Sequence, residues 1–259
     1  MQRGGSVLSD AGAGAPGLLT AAILPVKGFP RAKQRLGRSV AEPLRRELAE
    51  AMVADVMDAL ARTRGVDLTI VVTGEPAAAR RALALGAIVV EDAAERGQSQ
   101  AAVRGIERAL QEGAQRVLCV PGDCPALDPR ELAELLDRRA PAGVSELVVI
   151  PDRHGTGTNG LLMTPPGAIP PSFGPGSCER HRSLAQARGV SCRLERLPSL
   201  LLDIDTGADL ARLRERVERE GLGVAGDQRA RRTRAVLAMP EHRDTPADAA
   251  PVGPAPWPA

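Results

Sequence analysis

Aromatic side chains are almost missing from this chain. Its 259 residues include Phe29, Phe173 and Trp257 and no tyrosine. Recognition of nucleic acid by stacking bases on aromatic rings is thereby excluded, and a core has to be built from Leu, Val, Ile, Ala and Met. Excess charge is scarce too. The formal net charge is +2, too small for a surface that wraps a polyphosphate, so no nucleic-acid partner is expected. Cysteine is sparse and unpatterned, with Cys119, Cys124, Cys178 and Cys192 forming no CxxC. A chain of this length holds its fold without disulfides, which points to a reduced, cytoplasmic setting. No apolar run approaches the roughly 20 residues that cross a bilayer, and the opening MQRGGSVLSDAGAGAPG has no signal-peptide apolar segment, so no membrane association is expected. The histidines His154, His181 and His242 are too dispersed for a zinc site, although His181 is placed to help bind an anion from the first turn of its helix.

What is present is an alternation of short apolar runs with helix-period segments. Strands are expected at Leu19–Val26, Leu68–Val72, Ile88–Glu91, Arg116–Val120, Leu147–Ile150, Gly160–Met163, Cys192–Arg196 and Leu200–Asp203. Most are unbroken apolar runs, the pattern of strands covered on both faces. Leu44, Leu48, Met52, Val56 and Leu60 form an i, i+4 stripe on a first helix, whose start is ambiguous between a Ser39–Glu42 capping box and Pro43 in the first turn. Further helices are expected at Glu75–Leu85, Ser99–Gln111, from Asp128 with Glu131 as a capping box, at Cys178–Arg188, and from Thr206 with Asp209. One domain is expected over residues 19–224, between a disordered leader (1–18) and a disordered tail (225–259) whose basic cluster Arg229 to Arg234 is solvated. The alternation implies an α/β fold, a mostly parallel sheet with helices on both faces, with ligands bound beyond the carboxyl ends of the strands.

Four loops carry candidate chemistry. In ILPVKGFPRAKQRLG, Lys27, Lys33 and Arg35 can grip a triphosphate, although the loop is no Walker A because GxxxxGK followed by Ser or Thr is absent. In VLCVPGDCPAL, Asp123 stands at a strand end where a carboxylate can hold Mg²⁺, and Gly122 lets the backbone turn close to a ligand. In LLLDIDTGADL, Asp203 and Asp205 point to one side of an extended segment, and like carboxylates so placed call for a cation. Hard oxygen donors suit Mg²⁺ or Mn²⁺. In DRHGTGTNGLLMTPPGAIPPSFGPGS, Thr156 and Thr158 present hydroxyls from a glycine-rich turn, and Gly174 and Ser177 lead into a helix N-terminus, an anion site in which Ser177 also serves as N-cap.

Five segments in order, PVKGFPRAKQRL, VPGDCPAL, DRHGTGTNGLL, FGPGSCERH and DIDTGADL, resemble the CofC/FbiD guanylyltransferases of coenzyme F420 biosynthesis over roughly Leu19 to Arg219. The resemblance implies a single Rossmann-like nucleotidyltransferase domain of the nucleotide-diphospho-sugar transferase type. It implies transfer of GMP from GTP to phosphoenolpyruvate, with 2-phospho-L-lactate or 3-phosphoglycerate as the alternative acceptors. It assigns Asp123, Asp203 and Asp205 to Mg²⁺ or Mn²⁺, and Thr158, Gly174 and Ser177 to the acceptor. Lys27, Lys33, Arg35 and Gly122 fall to the nucleotide, with Lys27, Lys33 and Asp123 catalytic. Where the family often has Leu-Asn near the base or ribose, this chain has Ser99-Gln100, so Gln100 is expected there. A downstream deazaflavin transferase is the implied partner. Competing readings are a sister nucleotidyltransferase, disfavoured because its GGxSxRxG-type loop is absent, and a non-catalytic nucleotide-binding protein.

Overall fold

The computed structural model describes residues 18–31, 33, 34, 36, 40–138, 141, 143–219 and 227–239. Arg35 and Ser39 lie outside the described residues, as do the leader up to residue 17 and the chain beyond residue 239. The apolar runs become strands β1 (Thr20–Val26), β2 (Leu68–Thr73), β3 (Ile88–Glu91), β4 (Arg116–Cys119), β5 (Glu146–Pro151), β6 (Thr158–Thr164) and β7 (Ser191–Leu194). The periodic segments become α1 (Glu42–Ala61), α2 (Pro76–Ala84), α3 (Gln98–Gln111), α4 (Pro129–Asp137), α5 (Ser177–Ala187) and α6 (Gly207–Arg219).

The strands form one sheet in the order β3-β2-β1-β4-β6-β5-β7. The β1–β2, β1–β4, β2–β3 and β5–β7 pairs are parallel, and β6 runs antiparallel to both β4 and β5. The sheet is mostly parallel, as the apolar runs imply. Reversal of β6 brings its first residues to the edge where β1, β4 and β5 end.

Alternation along β1 divides the core. Ala22, Leu24 and Val26 pack with α1 and α4 residues such as Met57, Leu60 and Leu132 on one face. Ala21 and Ile23 pack with α3 residues Ala102, Ile106 and Ala109 on the other. Helix α3 approaches closely at Gly105, where a Cβ would lie 2.4 Å from Ile23 Cγ2. Helix α1 is buried on two sides rather than along one stripe, since Leu44, Leu48 and Met52 pack with Ile204, Leu210 and Leu213 in a third cluster. Leu48 and Met52 are fully buried, so truncating either to Ala costs about 2–5 kcal/mol.

Several expectations need correction. Leu200–Asp203 is not a strand. Pro198–Leu200 is a 3-10 turn whose carbonyls are taken by side chains: Arg216 Nη1 donates to Pro198 O at 2.9 Å and Asn159 Nδ2 to Leu200 O at 2.7 Å. The run is apolar because Leu200 and Ile204 are buried, not because it joins the sheet. Residues 227–239 of the expected disordered tail are ordered and include helix α7 (Arg231–Leu237). Asp55 of α1, 3% exposed, accepts hydrogen bonds from Arg232 N and Thr233 N at 2.9 Å each and from Thr233 Oγ1 at 2.8 Å. It supplies the cap that Ala230, at the N-cap position, cannot. Helix α1 starts with Pro43 in its first turn and Ala41 as N-cap. Asp128 caps α4 through Arg130 N at 2.8 Å, but Glu131 turns away from the capping box to accept from Ser199 N at 2.9 Å. The Thr206–Asp209 box forms as expected, with Asp209 Oδ2 accepting from Thr206 N at 2.9 Å.

Candidate active site

The chain leaves β1 for β2 and β3 on one side and returns to β4 on the other, which makes the β1/β4 border the switch point of the sheet. A cleft of about 610 Å³ opens there, lined by the end of β1, the loops after β4 and β5, the start of β6 and the first turn of α5.

The cationic side is built by the loop after β1. Its backbone is tied down from neighbouring loops: Gly28 N donates to Glu95 Oε1 at 2.8 Å and Phe29 N to Glu75 Oε2 at 3.1 Å. Phe29 is 2% exposed and anchors the loop in the core. Lys27 stands exposed in the cleft lining. Lys33 turns inward and bridges two carboxylates, with Nζ 2.5 Å from Asp123 Oδ2 and 2.7 Å from Asp205 Oδ1. Its backbone is left-handed (φ 57°), a conformation lysine rarely adopts, fixed here by these ion pairs and by Leu36 N donating to its carbonyl at 2.9 Å. Burial alone would lower the Lys33 pKa, but Asp123 and Asp205 outweigh it and hold the ammonium well above its ordinary value.

Asp123 follows β4, and its carbonyl accepts from Ile204 N at 3.0 Å, which joins the two aspartate loops. Asp123 and Asp205 thus meet on one cation. Asp203 lines the same cleft but turns elsewhere: Asn159 Nδ2 donates to its Oδ1 at 3.3 Å, and Arg153 Nη1 lies 3.8 Å from that oxygen. Burial, and then the charge of Asp123, raise its pKa. Arg153 is held by Asp209, 1% exposed, at 2.6 Å.

The three carboxylates expected to converge on one metal do not converge: Asp123 and Asp205 meet, and Asp203 turns away. Among the described residues, no three Asp, Glu, His or Cys side chains form a ligand group for one ion. A hard divalent cation nevertheless fits the Asp123–Asp205 pair. Asp123 Oδ1 is buried with no hydrogen-bond partner among the described residues, and Mg²⁺ is commonly held by one or two carboxylates completed by phosphate oxygens and water. Lys33 presently supplies the counter-charge for that pair.

The opposite wall is the hydroxyl side. Thr158 opens β6, and Ser177 is the first residue of α5, preceded by Gly174 (φ 110°) and Gly176 (φ 70°), whose left-handed backbone a side chain would strain. Ser177 Oγ lies 3.1 Å from Thr158 Oγ1. Arg180 clamps the intervening loop by donating to the carbonyls of Ser172 at 3.0 Å, Phe173 at 3.3 Å and Pro175.

Here too the structure corrects expectations. Ser177 is not the N-cap, which is Gly176. The first amides of α5 are not free for an anion: Ser177 N donates to Gly174 O at 3.0 Å and Cys178 N to Thr156 O at 3.1 Å. Thr158 and Ser177 present hydroxyls on this wall. His181 does not reach the cleft, because it is 0% exposed behind them. Gln100 is exposed outside the cleft, and Ser99 Oγ accepts from Phe173 N at 2.9 Å; Gln98, two residues earlier at the start of α3, is the glutamine that lines it. Gly122 does line the cleft, and packing also asks for glycine there, since a Cβ would lie 2.9 Å from Val53 Cγ2. Gln98, Glu95, Arg153, Asn159 and Arg180 were missed by sequence reasoning. Arg153, Asn159 and Arg180 lie inside the quoted segments, and Arg153 also follows the β5 run closely as other strand-end candidates do.

An α/β sheet with a reversed strand beside its switch point, and with cations, paired carboxylates and a hydroxyl-lined loop at that edge, defines a nucleotidyltransferase. The fold matches that of a candidate nucleotide-diphospho-sugar transferase from Desulfovibrio desulfuricans G20, with a TM-score of 0.63 at 15% identity over 84% of this chain and 96% of that one. Residues 20–215 match the family model described as "Guanylyl transferase CofC like", and the chain belongs to that family. It is similar to the phosphoenolpyruvate guanylyltransferase of Conexibacter woesei, 48% identical over 206 residues that span 80% of this chain and 92% of that protein. The protein of the same description from Rubrobacter xylanophilus is 41% identical over 74% of this chain and 92% of its own length.

Proposed function

We propose that this cleft transfers GMP from GTP to phosphoenolpyruvate, giving enolpyruvoyl-2-diphospho-5'-guanosine and pyrophosphate. The observation that carries the reading is the pairing, across one cleft, of a Lys27/Lys33 cationic side with the Thr158/Ser177 hydroxyl side, over the Asp123–Asp205 pair. The relatives named above support guanylyl transfer with this acceptor.

The chemistry derives from the groups present. A phosphate oxygen of phosphoenolpyruvate is ionised at neutral pH, so it attacks the α-phosphorus of GTP with no general base. A new P–O bond forms as the bond to the β-phosphate oxygen breaks, and pyrophosphate leaves with that electron pair. Two polyanions must be brought together, so catalysis is positioning and charge compensation. Lys27 faces the nucleotide phosphates, and Lys33 would join it once a cation takes its place between Asp123 and Asp205, with Arg35 assigned to the same loop. Thr158, Ser177 and the Gly174 turn hold the acceptor. Asp123 and Asp205 would hold Mg²⁺ or Mn²⁺, with Asp203 adding negative charge beside them, and a bound cation would neutralise charge on the phosphates. Gln98 and Glu95 line the same cleft, and Gln98 is assigned to the base.

The product carries an activated diphosphate, so a deazaflavin transferase of coenzyme F420 biosynthesis is the proposed consumer. Among the described residues no helix is long and apolar enough to cross a membrane. The test is pyrophosphate release with Mg²⁺, comparing GTP with other nucleoside triphosphates, and phosphoenolpyruvate with 2-phospho-L-lactate and 3-phosphoglycerate, each with the downstream transferase and its acceptor present. Release with GTP and phosphoenolpyruvate is expected. Release with GTP and another acceptor only would overturn the acceptor assignment, and release with no pair would overturn the reaction.

A further inference from the structure

We propose that His181 is a positioning residue that sets the direction of the hydroxyl chain facing the acceptor, so that the site presents a hydrogen-bond donor rather than lone pairs. The inference rests on the reading of Thr158 and Ser177 as the acceptor's anion site.

Counting protons leads to it. Ser172 N lies 2.9 Å from His181 Nε2. A backbone N–H only donates, so Nε2 must be the accepting, unprotonated nitrogen. A neutral imidazole then carries its proton on Nδ1, which lies 3.1 Å from Thr158 Oγ1. The ring is 0% exposed, with Phe173 packed edge-on at 5.3 Å between centroids. Burial, reinforced by the nearby Arg180 charge, pushes the His181 pKa down to about 4, in keeping with a neutral ring.

The chain His181–Thr158–Ser177 contains two internal hydrogen bonds, one between His181 Nδ1 and Thr158 Oγ1 and one between Thr158 Oγ1 and Ser177 Oγ. With Nδ1 protonated there are three protons for two bonds, counting the two hydroxyls, so one O–H is left over. Both hydroxyl residues line the cleft, so that O–H is the donor available to an occupant. With the other tautomer, Thr158 would donate to Nδ1 and Ser177 to Thr158. No proton would remain, and the pair would turn lone pairs towards an anion. The Ser172 amide therefore selects, through a buried ring, the polarity of a site it does not touch. The Arg180 clamp on Ser172 O and Phe173 O holds that amide in place, with Arg180 Nε also 3.2 Å from Ser172 Oγ.

The experiment combines spectroscopy with a coupling cycle on the full chain. Nitrogen NMR of imidazole-labelled protein, with three histidines to assign, reads the tautomer directly. His181 is expected as neutral Nδ1–H at pH 7, with and without phosphoenolpyruvate. His181→Leu is expected to raise the KM for phosphoenolpyruvate by about five- to tenfold, the scale of one oriented hydrogen bond, with the KM for GTP within about twofold. His181→Asn, which keeps a donor at the Nδ1 position, is expected to recover most of that loss. In a Thr158→Val background, His181→Leu should add nothing further. An Nε2–H tautomer, an unchanged phosphoenolpyruvate KM in His181→Leu, or an equal further loss in the Thr158→Val background would overturn the proposal. If Thr158→Val and Ser177→Ala themselves leave the phosphoenolpyruvate KM unchanged, the anion-site reading fails first and the proposal falls with it.

Discussion

Lys33 is the counter-charge of the paired carboxylates, and removing it should expose their need for a cation. In Lys33→Gln the ammonium 2.5 Å from Asp123 and 2.7 Å from Asp205 is lost. Breaking a buried ion pair by removing one partner costs about 3–5 kcal/mol. The Lys33 side chain is 9% exposed, but those of Asp123 and Asp205 are 26% and 39% exposed, so solvent screens part of the remaining repulsion and about 2 kcal/mol is the better figure. For a domain of this size that lowers the melting temperature by roughly 4–8 °C. Mg²⁺ should then restore it in the variant without nucleotide, by about 2.7 kcal/mol at a hundred times its Kd. The wild type should respond far less, because Mg²⁺ has to displace the lysine. Thermal melts of both proteins with and without MgCl₂ read this directly. A variant that melts within about 1 °C of the wild type, or an equal Mg²⁺ response in both, would refute the reasoning.

Three other outcomes are expected. The pKa of His181 is held at about 4 in the folded chain against 6.5 unfolded, so the unfolded chain takes the proton first as pH falls. The stability tied to the neutral ring is complete above pH 6.5 and lost towards pH 4, by about 3 kcal/mol. Denaturant melts of wild type and His181→Asn between those pH values should converge by about that amount, and parallel curves would contradict it. Asp55→Ala removes three hydrogen bonds to α7 and should cost about 2–4 kcal/mol, with hydrogen exchange rising at the α7 amides while β1 stays protected; protected α7 amides would count against the cap. Gln98→Ala should raise the KM for GTP and weaken the preference for guanine, whereas Gln100→Ala should change neither. The reverse pattern would return the base contact to Gln100.

The strands and the sheet edge were legible because fully covered strands must be apolar throughout, and β1, β2, β4 and β5 have no other way to be buried. Asp123 and Lys27 could be placed for the same reason, since each ends such a run. The run at Leu200 misled because burial alone makes a segment apolar: Leu200 and Ile204 anchor a turn whose hydrogen bonds come from Asn159 and Arg216. Helix α7 was hidden by composition, with Arg231, Arg232 and Arg234 around a short buried face of Thr233 and Leu237. Its partner did leave a mark, for Asp55 is a lone acid between Ala54 and Val56 on a helix buried on two sides. Within the site, residue types could be read but directions could not. That Asp205 and Asp123 share Lys33 while Asp203 faces Asn159 depends on side chains from separate loops. That Gln98 rather than Gln100 enters the cleft depends on where α3 begins, a matter of two residues.

The most direct test of guanylyl transfer in this cleft is the fate of oxygen labels. Phosphoenolpyruvate carrying ¹⁸O in its non-bridging phosphate oxygens would be incubated with GTP, Mg²⁺ and the enzyme, and the products followed by ³¹P NMR. Attack by the acceptor phosphate on the α-phosphorus is expected to leave the label in the new diphosphate, including the oxygen between its two phosphorus atoms, with unlabelled pyrophosphate. Label in the pyrophosphate, or GMP and pyrophosphate with phosphoenolpyruvate unchanged, would contradict it.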